Sequence, residues 1–565
     1  KYFNKDFDFT RASNGTYVDK NGVLQTAELY NLVDYSENFA SGGWGNLGGS
    51  TLTPNVEIAP DGNLTATKIT EGTSALIYKS IGAGTYTQSF YAKKGTSDIF
   101  GVYRGGVGNT TFDLTNGVVL ANGLTSASIQ NVGNGWYRCI ATSTSGSSSF
   151  YGINYNSTDG STIYVWGAQI VEGTEPLDYQ YTNGRVGIPR IDFSDGVGAL
   201  LLEPQRSNVL LKSNQFDNWA NGGGYTITPN QQGVYGNNNA FLINKTISAN
   251  LYLIGSASTS GTHTFSAYAK AGTAPAIMLY TVGGYMRFNL ETGTIMSGGG
   301  GYIAESIELI GDGWYRCSVT GSGTITTALI KPVSSSGTDT IGSIYLQHAQ
   351  LEEGSYPTSI IETTTSAVTR IADVANNCGS EQDFNSEEGV LYAEIAALAN
   401  DLTNRTIALS DGTTSNTVRI QYLTVSNAIW ATVTNIGAGG NQAILQYTSS
   451  DITINSKVAL KYKANDFSLW VNGIEVATDT SGVTFSANTL NTLQFDRGNG
   501  NENFYGKVRS VKYFPEALGD TKLMTLTGGD GSLQGLFNTF QARVLADGGY
   551  IESQDCIINE IKELL

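Results

Sequence analysis

Histidine is nearly absent: His263 and His348 are the only two in 565 residues. That argues against a zinc site built on imidazole, and neither histidine lies in a recognisable nucleophile motif. Cys139, Cys317, Cys378 and Cys556 are widely spaced, with no C-x-x-C pair and none of the density of a disulfide scaffold. Charged residues make up only 14% of the chain, against the usual quarter or so. Basic residues are the scarcer kind, 32 Lys+Arg against 49 Asp+Glu for a net charge of −17, and they form no cluster. A phosphate backbone would repel such a chain, so no nucleic-acid partner is expected. No segment approaches the roughly 20 apolar residues of a membrane-spanning helix. The most apolar run, Val197 to Leu202, ends at Glu203-Pro204, so membrane insertion is not expected either. Lys1 opens no charged-then-apolar leader. With no initiator Met there, an upstream piece is expected to have been removed or to lie outside the sequence.

What remains is glycine, tyrosine and turns. Gly is 69 of 565 residues, roughly 12% where about 7% is usual, and Tyr (31) far outnumbers Trp (7). A Gly-, Thr-, Ser- and Tyr-rich chain with little Lys and Glu reads as all-β with many turns. At 60.1 kDa it has the length of about three or four domains, each able to bury its own core.

An internal repeat organises it. Asn31-Leu32-Val33-Asp34-Tyr35-Ser36, with Phe39 and Trp44, recurs as Asn208-Val209-Leu210-Leu211-Lys212-Ser213, with Phe216 and Trp219. Thr87-Gln88-Ser89-Phe90-Tyr91-Ala92-Lys93 recurs at Thr264 to Lys270, and Phe112-Asp113-Leu114 as Phe288-Asn289-Leu290. Gly135-Trp136-Tyr137-Arg138-Cys139 recurs at Gly313 to Cys317. Ile163-Tyr164 through Ala168-Gln169 and Glu172-Gly173 recurs as Ile344-Tyr345 through Ala349-Gln350 and Glu353-Gly354. Five ordered matches at nearly constant offset are a tandem duplication. Within each copy, short strand-like runs alternate with Asn-Gly and Asp-Gly pairs such as Asn134-Gly135 and Asp312-Gly313, the grammar of a two-sheet β-sandwich.

A third unit, about 364–527, reads as further strands: Val390 to Ile395, Thr406 to Leu409, Val418 to Leu423, Ile429 to Val433 and Val458 to Tyr462. A hairpin over 466–476 turns at Asn472-Gly473, and Pro515-Glu516-Ala517-Leu518 is expected to begin a short helix. Leu533, Leu536, Phe537, Phe540 and Val544 lie on one face of a helix, as do Ile557, Ile558, Ile561, Leu564 and Leu565. This predicts a helical tail over 528–565 that packs on the third unit or forms an oligomer seam.

The repeated unit, through its Gly-Trp-Tyr-Arg segment and its Ile-Tyr-x-x-x-Ala-Gln-x-x-Glu-Gly ending, resembles jelly-roll modules related to family 4/9 carbohydrate-binding modules, as found in tailed-bacteriophage structural proteins. Ile188-Pro189-Arg190-Ile191-Asp192-Phe193 followed by Leu200 to Asn208 resembles a junction common in phage tail and fibre proteins. So does the opening, Phe9-Thr10-Arg11-Ala12-Ser13 with Thr16-Tyr17-Val18-Asp19. The third unit is similar to laminin-G or concanavalin-A-like sandwiches, through Trp470-Val471-Asn472-Gly473 and its Phe514-Pro515-x-Ala517-Leu518 ending. The resemblance implies two tandem jelly-roll sandwiches, at 31–183 and 206–363, then a concanavalin-A/laminin-G-like sandwich at 364–527 and the tail. It also implies that segments 1–30 and 184–205 form one small β unit into which the first jelly roll is inserted.

A sugar site needs aromatic platforms for ring faces, with amides and carboxylates for hydroxyls. Trp136 and Trp314 occupy one repeat position inside a strand and read as core, and Trp166 is replaced by Gln347 in the second copy. Trp44 and Trp219, in Gly-rich loops, are the candidate carbohydrate-binding residues. Cys139 and Cys317 read as small buried hydrophobes. Glycanases of the concanavalin-A-like kind need two carboxylates on one side of a strand. Glu381-Gln382-Asp383 lacks the second Glu, and the adjacent Glu387 and Glu388 point to opposite faces, so no enzyme activity is expected. No cofactor is implied. A structural calcium would draw on loop Asp, Asn and carbonyl oxygens, but the Asp-Gly and Asn-Gly pairs are explained by turns and no residues are assigned to it.

The resemblance thus implies a fibre or surface-decoration component of a tailed-phage virion, on the particle surface. It would be a homo-oligomer, with a trimer favoured, bound to other virion proteins and to host-surface glycans. Three other readings stay open: a secreted bacterial glycan-binding or adhesion protein, a polysaccharide depolymerase, and a purely architectural role in which the jelly rolls are spacers that bind no sugar.

Overall fold

The computed structural model describes residues 7–528 except 29, 41–42, 73–75, 155–159, 183–186 and 283. The tail pattern over 528–565 lies outside the described residues beyond Gly528. The chain forms two compact units: Glu28–Val186, and a second that joins Lys1–Ala27 to the chain from Gly187 onward. Both are built of antiparallel sheets.

Glu28–Val186 is a sandwich of two six-stranded sheets. One runs, in spatial order, Val118–Asn122, Gly108–Asp113, Ile99–Arg104, Ser149–Asn154, Leu76–Ile81 and Gly45–Leu47. The other runs Ser126–Gly133, Trp136–Ser145, Gly84–Lys94, Thr162–Glu172, Ala66–Thr70 and Thr51–Glu57. Side chains alternate faces along a strand, and the inward set, including Ile77, Phe90, Phe100, Phe112, Ile153 and Ile163, makes the core.

In the other unit the second jelly roll repeats this plan. Thr262–Ala271, Trp314–Ser322 and Gly342–Glu353 pair as their counterparts do, over a core that includes Phe265, Ile277, Phe288, Ile330 and Leu346. The C-terminal sandwich packs a seven-stranded sheet on a five-stranded one, Gly440–Thr448, Ala428–Asn435, Asn416–Tyr422, Arg405–Ser410 and Thr492–Gln494. Leu391, Ile407, Ile420, Leu460 and Leu469 lie between them. The hairpin of Phe467–Val471 and Ile474–Asp479 turns at Asn472 and Gly473, with φ of 49° and 85°. These left-handed conformations are what a two-residue type I′ turn requires.

Two expectations need correction. Segments 1–30 and 184–205 do not form a free-standing β unit. Ala199–Leu202 joins the seven-stranded sheet by pairing with Gly506–Phe514, and Arg190–Asp192 pairs with Ala199–Leu202 as its edge strand. Asp8–Thr10 pairs with Val374–Asn376, and Gly15–Val18 makes its own hairpin with Leu24–Ala27. Hydrogen bonds still tie the two segments, from Val18 N to Asp192 Oδ1 (2.9 Å) and from Phe193 N to Val18 O (2.8 Å). Apolar Leu201 and Leu202 gain more by joining an existing sheet than a small two-segment unit could offer. The short helix, too, starts later than Pro515-Glu516-Ala517-Leu518: it spans Asp520–Thr527, with extended Gly519 as its N-cap and Asp520 in its first turn, where an acid is favoured.

What the opening and junction sequences build is a buried charge cluster. Arg11, Arg190, Glu203, Arg370 and Asp373 are each at most 2% exposed. Arg11 Nη1 lies 2.7 Å from Asp373 Oδ1, and Arg190 Nη1 lies 2.7 Å from Glu203 Oε2. Arg190 Nη2 reaches Asp373, and Arg370 Nη1 stands 3.0 Å from Glu203 Oε2. Ser359 donates to Glu203 through both its N–H (2.7 Å) and its hydroxyl (2.6 Å). Burial alone would raise the Glu203 carboxyl, but Arg370, Arg190 and the Ser359 bonds overcome it and hold the group at about 2.

Removing one partner of such a cluster leaves charge buried without compensation, at a cost of about 3–5 kcal/mol. Glu203→Gln is therefore expected to lower the urea midpoint of this unit strongly, which tryptophan fluorescence will report. The sign of the pH effect follows from the depressed carboxyl. Glu203 stabilises the fold fully above its ordinary value of 4.5, and this contribution is lost as pH falls from there towards 2. A Glu203→Gln chain should show less of that acid destabilisation than the parent.

Candidate functional site

The polar residues that recur between the two copies turn out to close each sandwich. Asn31 accepts from Val33 N (3.1 Å) and Ile170 N (3.2 Å), and donates to Ala168 O and Gln180 O. Asn208 does the same work, accepting from Leu210 N (3.1 Å) and Leu351 N (3.0 Å) and donating to Ile361 O. Gln169 and Gln350 take the N–H of Gln180 and of Ile361, each at 2.7 Å. Ser36 and Ser213 accept from Thr182 N and Thr363 N, each at 2.9 Å. Arg138 and Arg316 reach Leu177 O and Thr358 O, each at 2.6 Å, with their guanidinium groups over Tyr91 and Tyr268. These side chains bond the opening segment and two core strands of each module to its last segment, so the chain enters and leaves in a fixed register. Asp113 and Asn289, the variable position of the Phe-x-Leu repeat, cap matching turns.

The tryptophans in Gly-rich loops are packing residues. Trp219 is 5% exposed in the core, its ring 5.0 Å from that of Phe216 and its Nε1 donating to Lys212 O at 3.0 Å. Trp44 is half-buried, 5.0 Å from Phe39, with Nε1 donating to Tyr35 O at 3.0 Å. The sugar-platform expectation is thus corrected for Trp219, whose ring faces are covered, and Trp44 makes the matching contacts. Trp136 and Trp314 are 1% and 2% exposed, and Trp166 lies 4.7 Å from Tyr179 with its Nε1 on Thr65. Where the second copy has Gln347 instead, Val18 and Leu24 of the N-terminal hairpin join Tyr235, Tyr268, Trp314 and Ile360.

The remaining candidates have structural partners as well. Cys139 and Cys317 are buried, which pushes both thiols up. His263 is buried between Thr281 and Gly261 and is lowered by that burial. His348 lies 2.8 Å from Glu362. Asp383 accepts from Ser380 N and Oγ, and Glu388 pairs with Lys463 at 2.7 Å. Among the described residues no group of three or more His, Cys, Asp or Glu is placed to hold a metal ion. A cleft of about 820 Å³ is lined by Tyr17, Asp192, Asp195, Asn455, Lys507 and Arg509 among others. Its charges are largely spent on one another: Lys507 on Ser194 (2.8 Å) and Asp192 (3.4 Å), Arg509 on Asp195 (3.0 Å).

A row of half-buried aromatic side chains lies elsewhere, on one sheet of the first jelly roll. Gly152 pairs with Tyr78 on one side and Tyr103 on the other. Neighbouring strands are about 4.8 Å apart, so the backbones of the two tyrosines stand about 10 Å apart, with buried Gly152 between them. The glycine is required, because a Cβ there would lie 2.0 Å from Ile77 O. Tyr78 leans over Gly45, where a Cβ would meet its ring at 2.4 Å, and packs 4.5 Å from Phe150, itself 43% exposed. Asn109, next to Tyr103 in the same cross-strand row, supplies an amide at the edge. In the second copy the row reads Ile254, Leu329, Tyr280 and Tyr285, and Leu329 fills the place of Gly152. Sequence reading missed this trough by looking for tryptophan. The available signal was a glycine inside a strand at Phe150-Tyr151-Gly152-Ile153, set against leucine one repeat later.

No protein-family model matches the chain, and no curated protein matches it. Among solved structures it is similar to the CBM40 module of the Ruminococcus gnavus IT-sialidase bound to α2,3-sialyllactose. That likeness has 15% identity and a TM-score of 0.23, over 27% of this chain and 94% of that one. The tandem CBM22-1–CBM22-2 domain of Paenibacillus barcinonensis Xyn10C matches at 13% identity and TM-score 0.21, over 58% and 100%. Domains LG4-5 of the mouse laminin alpha1 chain match at 10% and 0.18, over 55% and 89%. These likenesses are slight, and the all-β architecture rests on the strands themselves.

Asn31→Ala and Asn208→Ala each strand at least two buried backbone groups, worth about 1–3 kcal/mol apiece. Each substitution should lower the melting of its own jelly roll by roughly 5–10 °C, as scanning calorimetry will show.

Proposed function

We propose that this protein is a non-catalytic structural component of a tailed-phage virion, a fibre or surface-decoration protein that attaches the particle to glycans. The observation that carries glycan attachment is the trough of Tyr78, Gly152 and Tyr103, with Phe150 beside it. It sets two half-buried tyrosines and the exposed Phe150 ring on one sheet, with the Asn109 amide at the edge for hydroxyls. The virion reading is supported by the opening and junction sequences around Arg11, Arg190 and Glu203, which resemble those of phage tail and fibre proteins. One shallow trough binds a glycan weakly, so useful attachment comes from many copies held together. A homo-oligomer, a trimer above all, on the virion surface and joined there to other virion proteins supplies them.

Light scattering of the purified chain should then give three times 60.1 kDa, and a monomer counts against the fibre role. On an array of bacterial surface polysaccharides the protein should bind a subset. Tyr78→Ala and Tyr103→Ala should each weaken that binding about tenfold and leave the melting temperature unchanged. Equal binding by parent and variants would sink the trough as the site.

A further inference from the structure

The second jelly roll carries a cavity of about 460 Å³ lined by Gln231, Gln232, Gly233, Lys270, Asp312, Trp314 and Tyr345. Its meaning comes from the first copy, where the same place is closed. There Lys93 pairs with Glu57 at 3.1 Å and Trp136 Nε1 donates to Ile58 O at 2.9 Å. Strand register puts Glu57 opposite Ala66 and Gln231 opposite Ala240, so Gln231 stands where Glu57 did and Gln232 where Ile58 did. Lys270 corresponds to Lys93 and Trp314 to Trp136, each pair joined across its own strand ladder.

Three changes follow from that substitution. Gln231 cannot pair with the ammonium, and its amide turns back to Pro229 O at 3.0 Å. Lys270 has no ion-pair partner among the described residues, and Trp314 Nε1 has no hydrogen-bond partner there. Asp312, in the place of Asn134, adds a carboxylate at the rim that likewise has no described partner. Duplication has thus produced one module with a satisfied corner and one where, among the described residues, an unpaired cation, an unpaired anion, two glutamines and the edge of a nearly buried indole converge on a cavity.

We propose that this corner of the second jelly roll is a binding site for a terminal N-acetylhexosamine residue of a glycan. An acetamido carbonyl accepts from Lys270 or from the Trp314 indole N–H at the cavity edge, and its methyl group packs on the half-buried Tyr345. The ring hydroxyls donate to Asp312 and bond the amides of Gln231 and Gln232. The cavity holds one or two sugar residues, and its single cation and single anion favour an uncharged sugar. The proposal rests on the glycan-binding reading and adds a second, structurally separate site to it.

Titration of the full chain with N,N′-diacetylchitobiose, followed by calorimetry, tests it, with cellobiose as the comparison. Saturable binding of the first and at least tenfold weaker binding of the second are expected. Lys270→Ala and Asp312→Asn should each weaken binding about tenfold, the loss of one charge-assisted hydrogen bond. Gln231→Glu, which rebuilds the Lys93–Glu57 pair of the first copy at an accessible position, should abolish it with no change in melting temperature. Tyr78→Ala should leave it intact. Chitobiose binding that survives all three cavity substitutions overturns this site while the trough reading stands. Loss on Tyr78→Ala instead assigns the sugar to the trough. No binding by the parent chain overturns the N-acetylhexosamine assignment outright, whatever the polysaccharide array shows.

Discussion

Three arginines and two carboxylates, taken out of water together, hold the larger unit in one arrangement. Arg11 comes from the start of the chain, Arg190 and Glu203 from the junction, and Arg370 and Asp373 from the approach to the C-terminal sandwich. Desolvating five ionised groups is expensive, and mutual attraction repays it only with close ion pairs and further hydrogen bonds around them. Here the surplus positive charge leans on backbone carbonyls: Ser13, Ala27 and Ile188 for Arg11, Thr16 for Arg190, Pro204 for Arg370. An apolar cluster would tolerate sliding. This one does not, because each guanidinium has a fixed fork of donors that must meet particular oxygens. The second jelly roll and the C-terminal sandwich meet the N-terminal hairpin around that geometry.

The duplication separates what folding needs from what function has been free to change. Asn31 and Asn208, Gln169 and Gln350, Ser36 and Ser213 keep their partners because each satisfies buried backbone groups that nothing else can reach. Elsewhere the copies differ: Leu329 stands where Gly152 does in the first, Gln231 where Glu57 does, and Gln347 where Trp166 does. Glu57 and Gln231 are at least partly accessible, whereas Gly152, Trp166 and Gln347 are buried.

Much of the fold was legible in the sequence. The strands at Val390, Val418 and Val458 and the turn at Asn472-Gly473 follow from β-branched runs and from the left-handed conformations that Asn and Gly allow. The module order follows from the repeat. The candidate sites were not legible in the same way. A glycine-flanked tryptophan reads as exposed, yet Trp219 reaches the core because its loop folds over Phe216 and offers Lys212 O to its indole. The tyrosine trough depends on which residues sit side by side on three strands about 25 to 75 positions apart, and no local pattern carries that. The arginines at 11 and 190 stood in motifs with a resemblance but no visible chemistry, and Arg370 in none, since only the folded chain shows that they converge.

The Nη2 of Arg11 donates both to Ala27 O at 3.1 Å and to Ile188 O at 2.8 Å. One side chain therefore pins together the point where the chain leaves for the first jelly roll and the point where it returns, the two carbonyl oxygens lying within about 6 Å of each other, less than two residues of extended chain. The insertion of residues 28–186 thus opens and closes between neighbouring backbone atoms. Ends that lie so close together are what lets one domain be inserted in another, exchanged or removed.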